Sequence, residues 1–251
     1  MNHLFATLQT LSNAEYYIAI VVYLSFIVTS LTGALGGMML LATMALYFPV
    51  SILIPLHSVI HLSGDIARIL PAMRSVAVKP ALKFCMASLI GVGLGYWFYL
   101  NLDATIILVA LSIYILLITW LTNRLVSKLA SIGYEWLGLI MGYISVTVGA
   151  PGPIHLAKIQ TDYNNTIVIV TTAAIFTAFI NVIKISIFMI GGFAFVEYQP
   201  LLIIGCSCAI LGSLTGVMLR SSLGGILHNK LIIKIPITLA SILIVVKAIF
   251  I

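Results

Sequence analysis

From Phe84 to Leu102 the chain carries no Asp, Glu, Lys or Arg, and similar runs recur at Ala104 to Asn123, Trp136 to Ala157, Tyr163 to Ile183 and Tyr198 to Leu219. A bilayer's hydrocarbon core is about 30 Å thick and takes about 20 helical residues to cross, so each run is long enough for a span. Backbone amides find no partner in lipid, which leaves the α-helix as the form for such runs. Charged residues make up 7% of the 251 and hydrophobic residues 62%, with a mean hydropathy of +1.23. A soluble domain of this length has no interior to receive so much apolar surface. The reading is an all-α, polytopic transmembrane protein of about 7–8 helices, with residues 1–251 forming a single transmembrane domain.

The first 15 residues contain no Lys or Arg, and the apolar run behind them continues past signal length, which argues against a removable signal peptide. Cys85, Cys206 and Cys208 all lie in apolar segments and imply no disulfide framework. Twelve basic residues against six acidic ones fit cytoplasmic loops better than a nucleic-acid partner. Arg68, Arg74, Lys79 and Lys83 follow the second apolar segment, and Arg124 and Lys128 follow the fourth. Both connections are therefore expected in the cytoplasm.

Eight hydrophobic segments emerge, at about 16–48, 50–70, 80–100, 103–122, 134–160, 164–190, 199–219 and 231–251. The first is too long for one straight helix, since Tyr16 to Phe48 would extend roughly 50 Å. It contains GALGG at Gly33 to Gly37, and the fifth contains GAPGP at Gly149 to Pro153; both are expected to break their helices. A shift of 116 lays Gly33-Ala34-Leu35-Gly36 on Gly149-Ala150-Pro151-Gly152, His61 on Thr177, Asp65 on Asn181 and Arg68 on Lys184. The pattern predicts two repeated halves, about 16–122 and 134–251, each with an interrupted helix followed by a helix bearing a polar stripe. Such duplications are a signature of secondary transporters, with the site at the repeat interface. If every segment crosses once, the connection with Arg220, Lys230 and Lys234 falls opposite the other basic loops. Either an interrupted segment is re-entrant or the charge bias fails there.

His57, His61, Asp65 and Arg68 fall within an arc of about 80° on one helix face at about 100° per residue. Intramembrane charge costs about 2.5 to 3.5 kcal/mol per residue and marks pairing or a wet cavity. One reading has Arg68 reaching the interface with Asp65 as its i, i+3 partner. The other makes the stripe a site wall, with Arg68 attracting an anion and His57, His61 and Asp65 carrying protons. A third makes His57, His61 and Asp65 ligands of a divalent ion. Helix breaks leave backbone N–H groups free to bind an anion, so Gly33, Gly36, Gly37, Gly149, Ala150, Pro151 and Gly152 are candidate substrate contacts. Asn181 and Lys184 form the matching wall of the second half. No H-E-x-x-H motif or nucleophile with a matched base points to an enzyme, and no cofactor or resident metal is implied.

PLHSVIHLSGDIAR, Pro55 to Arg68, resembles the proline-leucine-histidine stretch of sulfite exporter TauE/SafE family permeases. GAPGP is similar to that family's second-half loop, and Thr171-Thr172 to the alanine-threonine after it; Gly205, Gly212 and Gly216 fit its last quarter. By position the resemblance carries over His57, Arg68, Gly149, Pro151, Gly152 and Thr172. His61 replaces the usual glutamine and Asp65 the usual asparagine. The resemblance implies a multi-pass plasma-membrane (cell inner membrane) permease for a small sulfur-containing anion such as sulfite or an organosulfonate, coupled to protons. Its partners would be that anion, protons and lipid, and homo-oligomerisation is compatible with it. The rival from the residues themselves is a divalent metal-cation permease.

Overall fold

The computed structural model describes residues 13–120, 131–149, 152–223 and 231–250. Among them there are ten α-helices and no strand. The first half contains α1 (Asn13–Thr32), α2 (Leu35–Tyr47), α3 (Val50–Ile69), α4 (Val78–Tyr99) and α5 (Ala104–Trp120); a 3₁₀ turn, Leu70–Ser75, extends α3. The second contains α6 (Tyr134–Val148), α7 (Gly152–Asp162), α8 (Thr166–Ile190), α9 (Gln199–Leu223) and α10 (Leu231–Phe250). Val50–Ser75, Val78–Tyr99, Thr166–Ile190 and Phe195–Arg220 are long and apolar enough to cross a membrane. Leu82, Met86, Trp97, Leu117 and Met218 stand exposed on the outside, where lipid tails accept them.

The eight hydrophobic segments become ten helices because the first and fifth each split in two. The splits fall at Gly33 (φ 90°) and Gly149 (φ 83°), in the left-handed region that glycine enters without a Cβ clash. At both splits the chain doubles back. In a continuous helix residues 25 and 36 would lie about 16 Å apart, yet a Cβ on Gly36 would stand 1.8 Å from the Ser25 carbonyl oxygen. Tyr17 and Tyr47, at the far ends of α1 and α2, have ring centroids 5.8 Å apart. The second split closes likewise, with the Tyr134 hydroxyl donating to Asp162 at 2.7 Å. Each interrupted segment is thus a helical hairpin that enters and leaves on one face.

Side-chain contacts fix which ends share a face. Lys83 pairs with Glu135 at 2.7 Å, the Ala77 amide donates to Thr172 at 3.0 Å, and the Trp120 indole donates to Thr238 at 2.9 Å. The α3–α4 connection, the end of α5, the α6–α7 hairpin base and the starts of α8 and α10 therefore lie on one face. On the other, Gly191 lies against the Tyr96 hydroxyl and Lys247 reaches the Ala45 and Leu46 carbonyls. Six helices (α3, α4, α5, α8, α9 and α10) run between the faces. With both interrupted segments re-entrant, the end of α9 and the start of α10 join the face that carries Arg74, Lys79, Lys83 and Lys158, which removes the charge conflict of the one-crossing count. Arg124, Lys128 and Lys230 lie outside the described residues.

Glycine seams hold the hairpins to the traversing helices. A Cβ on Gly91 or Gly95 of α4 would meet the Leu139 or Tyr143 carbonyl of α6 at 2.1 or 2.5 Å, and one on Gly212 or Gly216 of α9 would meet the Tyr23 or Ile27 carbonyl of α1 at 2.4 or 2.8 Å. Small residues permit such backbone approach, the main source of helix association in lipid. One buried apolar cluster lies around α1 and α2 and a second around α6 and α7.

Gly36→Ala is expected to destabilise the chain by roughly 1–3 kcal/mol through overpacking against Ser25 and Thr29. Gly93→Ala, with open space at that position, is expected to leave the melting temperature unchanged or raised. Thermal melts of the detergent-solubilised variants compare the two.

Candidate functional site

The α3 stripe faces inward throughout. His57, His61, Asp65 and Arg68 are at most 5% exposed, and they form a chain. The His61 Nδ1–H donates to Asp65 at 3.0 Å, while the other Asp65 oxygen accepts from the Arg68 guanidinium. The remaining terminal nitrogen of Arg68 reaches the Thr29 carbonyl at 3.4 Å. His57 donates from Nε2 to the Gly37 carbonyl at 3.3 Å, and the His57 and His61 rings lie 5.2 Å apart. The two-partner ion pair answers the expectation that Arg68 snorkels to the headgroups. It stays inside, 4% exposed, with its charge balanced by Asp65.

On α8 the corresponding pair is neutral on one side. Lys184 donates to Asn181 at 3.5 Å and to the Gly149 carbonyl at 3.4 Å, so it holds the second hairpin tip with uncharged acceptors only. Lys184 is 1% exposed, as expected for a lysine that avoids lipid.

The two hairpin tips meet at the centre. Gly33 packs on Leu156, Gly149 on Leu41 and Gly152 on Ala34. Between them lies a narrow cavity. Thr29, Gly33, Ala34, Gly37, His57, His61 and Arg68 line it from the first half; Gly149, Gly152, Thr177, Ile180 and Asn181 line it from the second. Arg68 Nε and His57 Nδ1 are buried without a hydrogen-bond partner. Buried polar atoms are nearly always paired, and both residues line the cavity.

Of the residues singled out from sequence, Gly33, Gly37, His57, His61, Arg68, Gly149, Gly152 and Asn181 meet at this cavity. Gly36 instead packs against α1. Asp65 stands behind His61 and Arg68 as their shared acceptor. Thr172 accepts the Ala77 amide, and Lys184 supports Gly149. Ala150 and Pro151 lie outside the described residues. Thr29, Ala34 and Ile180 are lining residues that sequence reasoning missed. Thr29 was findable as the residue one turn before a helix break, whereas Ile180 carries no polar signal. Among the described residues no three His, Cys, Asp or Glu side chains are grouped to hold a metal ion.

Six traversing apolar helices with a buried polar cavity between two re-entrant hairpin tips define a polytopic helical membrane protein built like a permease. The chain belongs to the sulfite exporter TauE/SafE family, whose family model matches residues 17–247. That is nearly all of it, and the family consists of membrane transporters rather than enzymes. No curated protein and no solved structure matches the chain significantly.

Removing Asp65 alone would strand Arg68, and breaking a buried pair this way costs roughly 3–5 kcal/mol. Asp65→Ala is therefore expected to melt well below the parent, and Asp65→Ala/Arg68→Leu to recover most of the loss. Thermal melts of the single and double variants provide the check.

Proposed function

We propose that this permease moves a small sulfur-containing oxyanion, sulfite or an organosulfonate, across the plasma membrane together with protons, and that the substrate sits in the central cavity. The observation that carries this reading is the free Arg68 Nε–H beside the two hairpin tips. A guanidinium N–H is a donor only, so the group that completes it must accept, as an oxyanion does. Backbone N–H groups at the start of α7, beside Gly152, add the partial positive charge of a helix N-terminus.

The histidines supply the proton step. His61 donates from Nδ1 to Asp65 and His57 from Nε2 to Gly37, so in the neutral rings His61 Nε2 and His57 Nδ1 are acceptors. Acceptors repel an anion, whereas protonation turns each into a donor. An anion and a proton therefore favour each other's binding at this site. That linkage is what a proton-coupled carrier needs.

Two halves related by inversion, about 16–122 and 134–251, frame the site. In support, the breaks lie 116 residues apart and the hairpins enter from opposite faces. The α4–α6 seam (Gly91 and Gly95 on residues 139 and 143) is echoed by α9 on α1 (Gly212 and Gly216 on residues 23 and 27). The basic face is placed in the cytoplasm by the positive-inside rule.

The test is a thermal-shift panel on purified protein with sulfite, thiosulfate, sulfate, sulfonates, zinc and nickel. Sulfite or a sulfonate is expected to stabilise increasingly with concentration, by about 2.7 kcal/mol at 100 times its Kd. Asp65→Ala/Arg68→Ala, which removes the charges together, should abolish the shift. Stabilisation by the metals alone would replace the anion reading. A second measurement addresses coupling: methanesulfonate, whose charge is constant with pH, should bind more tightly at low pH than at high pH. His57→Gln/His61→Gln should flatten that dependence.

A further inference from the structure

His155 lies one turn along α7 from the cavity residue Gly152. It is fully buried, and neither ring nitrogen has a hydrogen-bond partner. Its ring is packed 5.9 Å from Phe84 and 5.8 Å from Phe176, which stack on each other at 3.9 Å with 10° between planes. Tyr134 meets Phe176 edge-on at 5.9 Å and donates to Asp162; Lys158 lies over the Tyr134 ring and pairs with Asp162. The order from the cavity outward is Gly152, His155 with its two phenylalanines, then Tyr134, then the charged pair at the basic face.

The matching place in the first half has no such group. A shift of 116 sets Met39 against His155 and Ile60 against Phe176. Ile60 is covered by Gly205, whose Cβ would meet its Cδ1 at 2.8 Å. The first half thus has aliphatic packing at these positions, where the second has an aromatic stack with an unpaired imidazole inside it. An imidazole with two idle nitrogens weakens the folded state, and an apolar residue in its place would pack without that cost. The polar ring is explained if it gains partners in a second arrangement of the same residues.

We infer that Phe84 and Phe176 form the gate between the cavity and the basic face, and that His155 is the next hydrogen-bonding contact of the anion once these rings part. This rests on the anion-permease reading. In the closed form the stacked rings exclude water. In the open form the imidazole N–H donates to the passing oxyanion, so the transported ion is handed from Arg68 to His155 without a bare apolar stretch between them.

Two readouts test it in the full-length protein. In a background with Cys85, Cys206 and Cys208 changed to serine, His155→Cys, Met39→Cys and the face marker Lys83→Cys are each treated from either side of a vesicle with a membrane-impermeant thiol reagent. His155→Cys is expected to react only from the side that labels Lys83→Cys, and Met39→Cys from neither. No labelling at position 155, or labelling from the opposite side, overturns the gate. In proteoliposomes, His155→Phe is expected to keep the parent's sulfite-induced thermal shift but lower flux by about tenfold, the loss expected for one hydrogen bond, with His155→Gln restoring it. Full flux in His155→Phe overturns the contact. If the parent itself shows no sulfite shift, the anion reading falls, and the labelling still decides whether position 155 borders a water route.

Discussion

Backbone carbonyls that end a helix inside the membrane have no water to turn to, and the arrangement of this protein follows from supplying them with donors. The carbonyl end of α1 takes Arg68 at Thr29 and Arg220 at Ser30, the latter at 3.1 and 2.7 Å. The second tip takes Lys184 at Gly149, and at the base of the first hairpin, on the membrane face, the end of α2 takes Lys247 at Ala45 and Leu46. Each long cation reaches a helix C-terminus, where the partial negative charge of the dipole favours it. The broken helices and the buried basic residues are therefore one device. The breaks give the cations acceptors besides Asp65 and Asn181, and the cations give donors to carbonyls at the tips.

That device leaves the site its chemistry. Arg68 directs one terminal nitrogen to Asp65 and the other to Thr29, and its Nε is left without a partner. Asp65 balances the guanidinium and fixes the His61 tautomer through the opposite oxygen. The second half performs the equivalent task with Asn181 and Lys184, which sit on neutral acceptors. The two walls of the cavity are unlike in charge.

Much of the fold was legible in the chain because lipid imposes simple rules. Uncharged runs marked the traversing helices, and GALGG and GAPGP marked the breaks, since glycine and proline disrupt a helix wherever it sits. The 100° periodicity put His57, His61, Asp65 and Arg68 on one face, and that face is buried. The direction of the chain after each break was not legible. Gly33 permits a left-handed turn, but whether α2 continues or folds back depends on Gly36 fitting against Ser25 eleven residues earlier. His155 gave no signal either, because a histidine one turn into a short helix becomes significant only when two distant phenylalanines deny it partners.

By itself, then, the sequence determined the class, the spans, the places where helices fail and the polar stripe, all properties of local composition and period. Only the tertiary structure decided that both failures are hairpins, which carbonyl each cation serves, and that glycines and side chains from opposite halves enclose one cavity. Those outcomes depend on contacts between residues separated in the chain, from Gly36 with Ser25 at the first hairpin to Gly33 with Leu156 and Gly152 with Ala34 across the cavity. No local pattern encodes a distance in space.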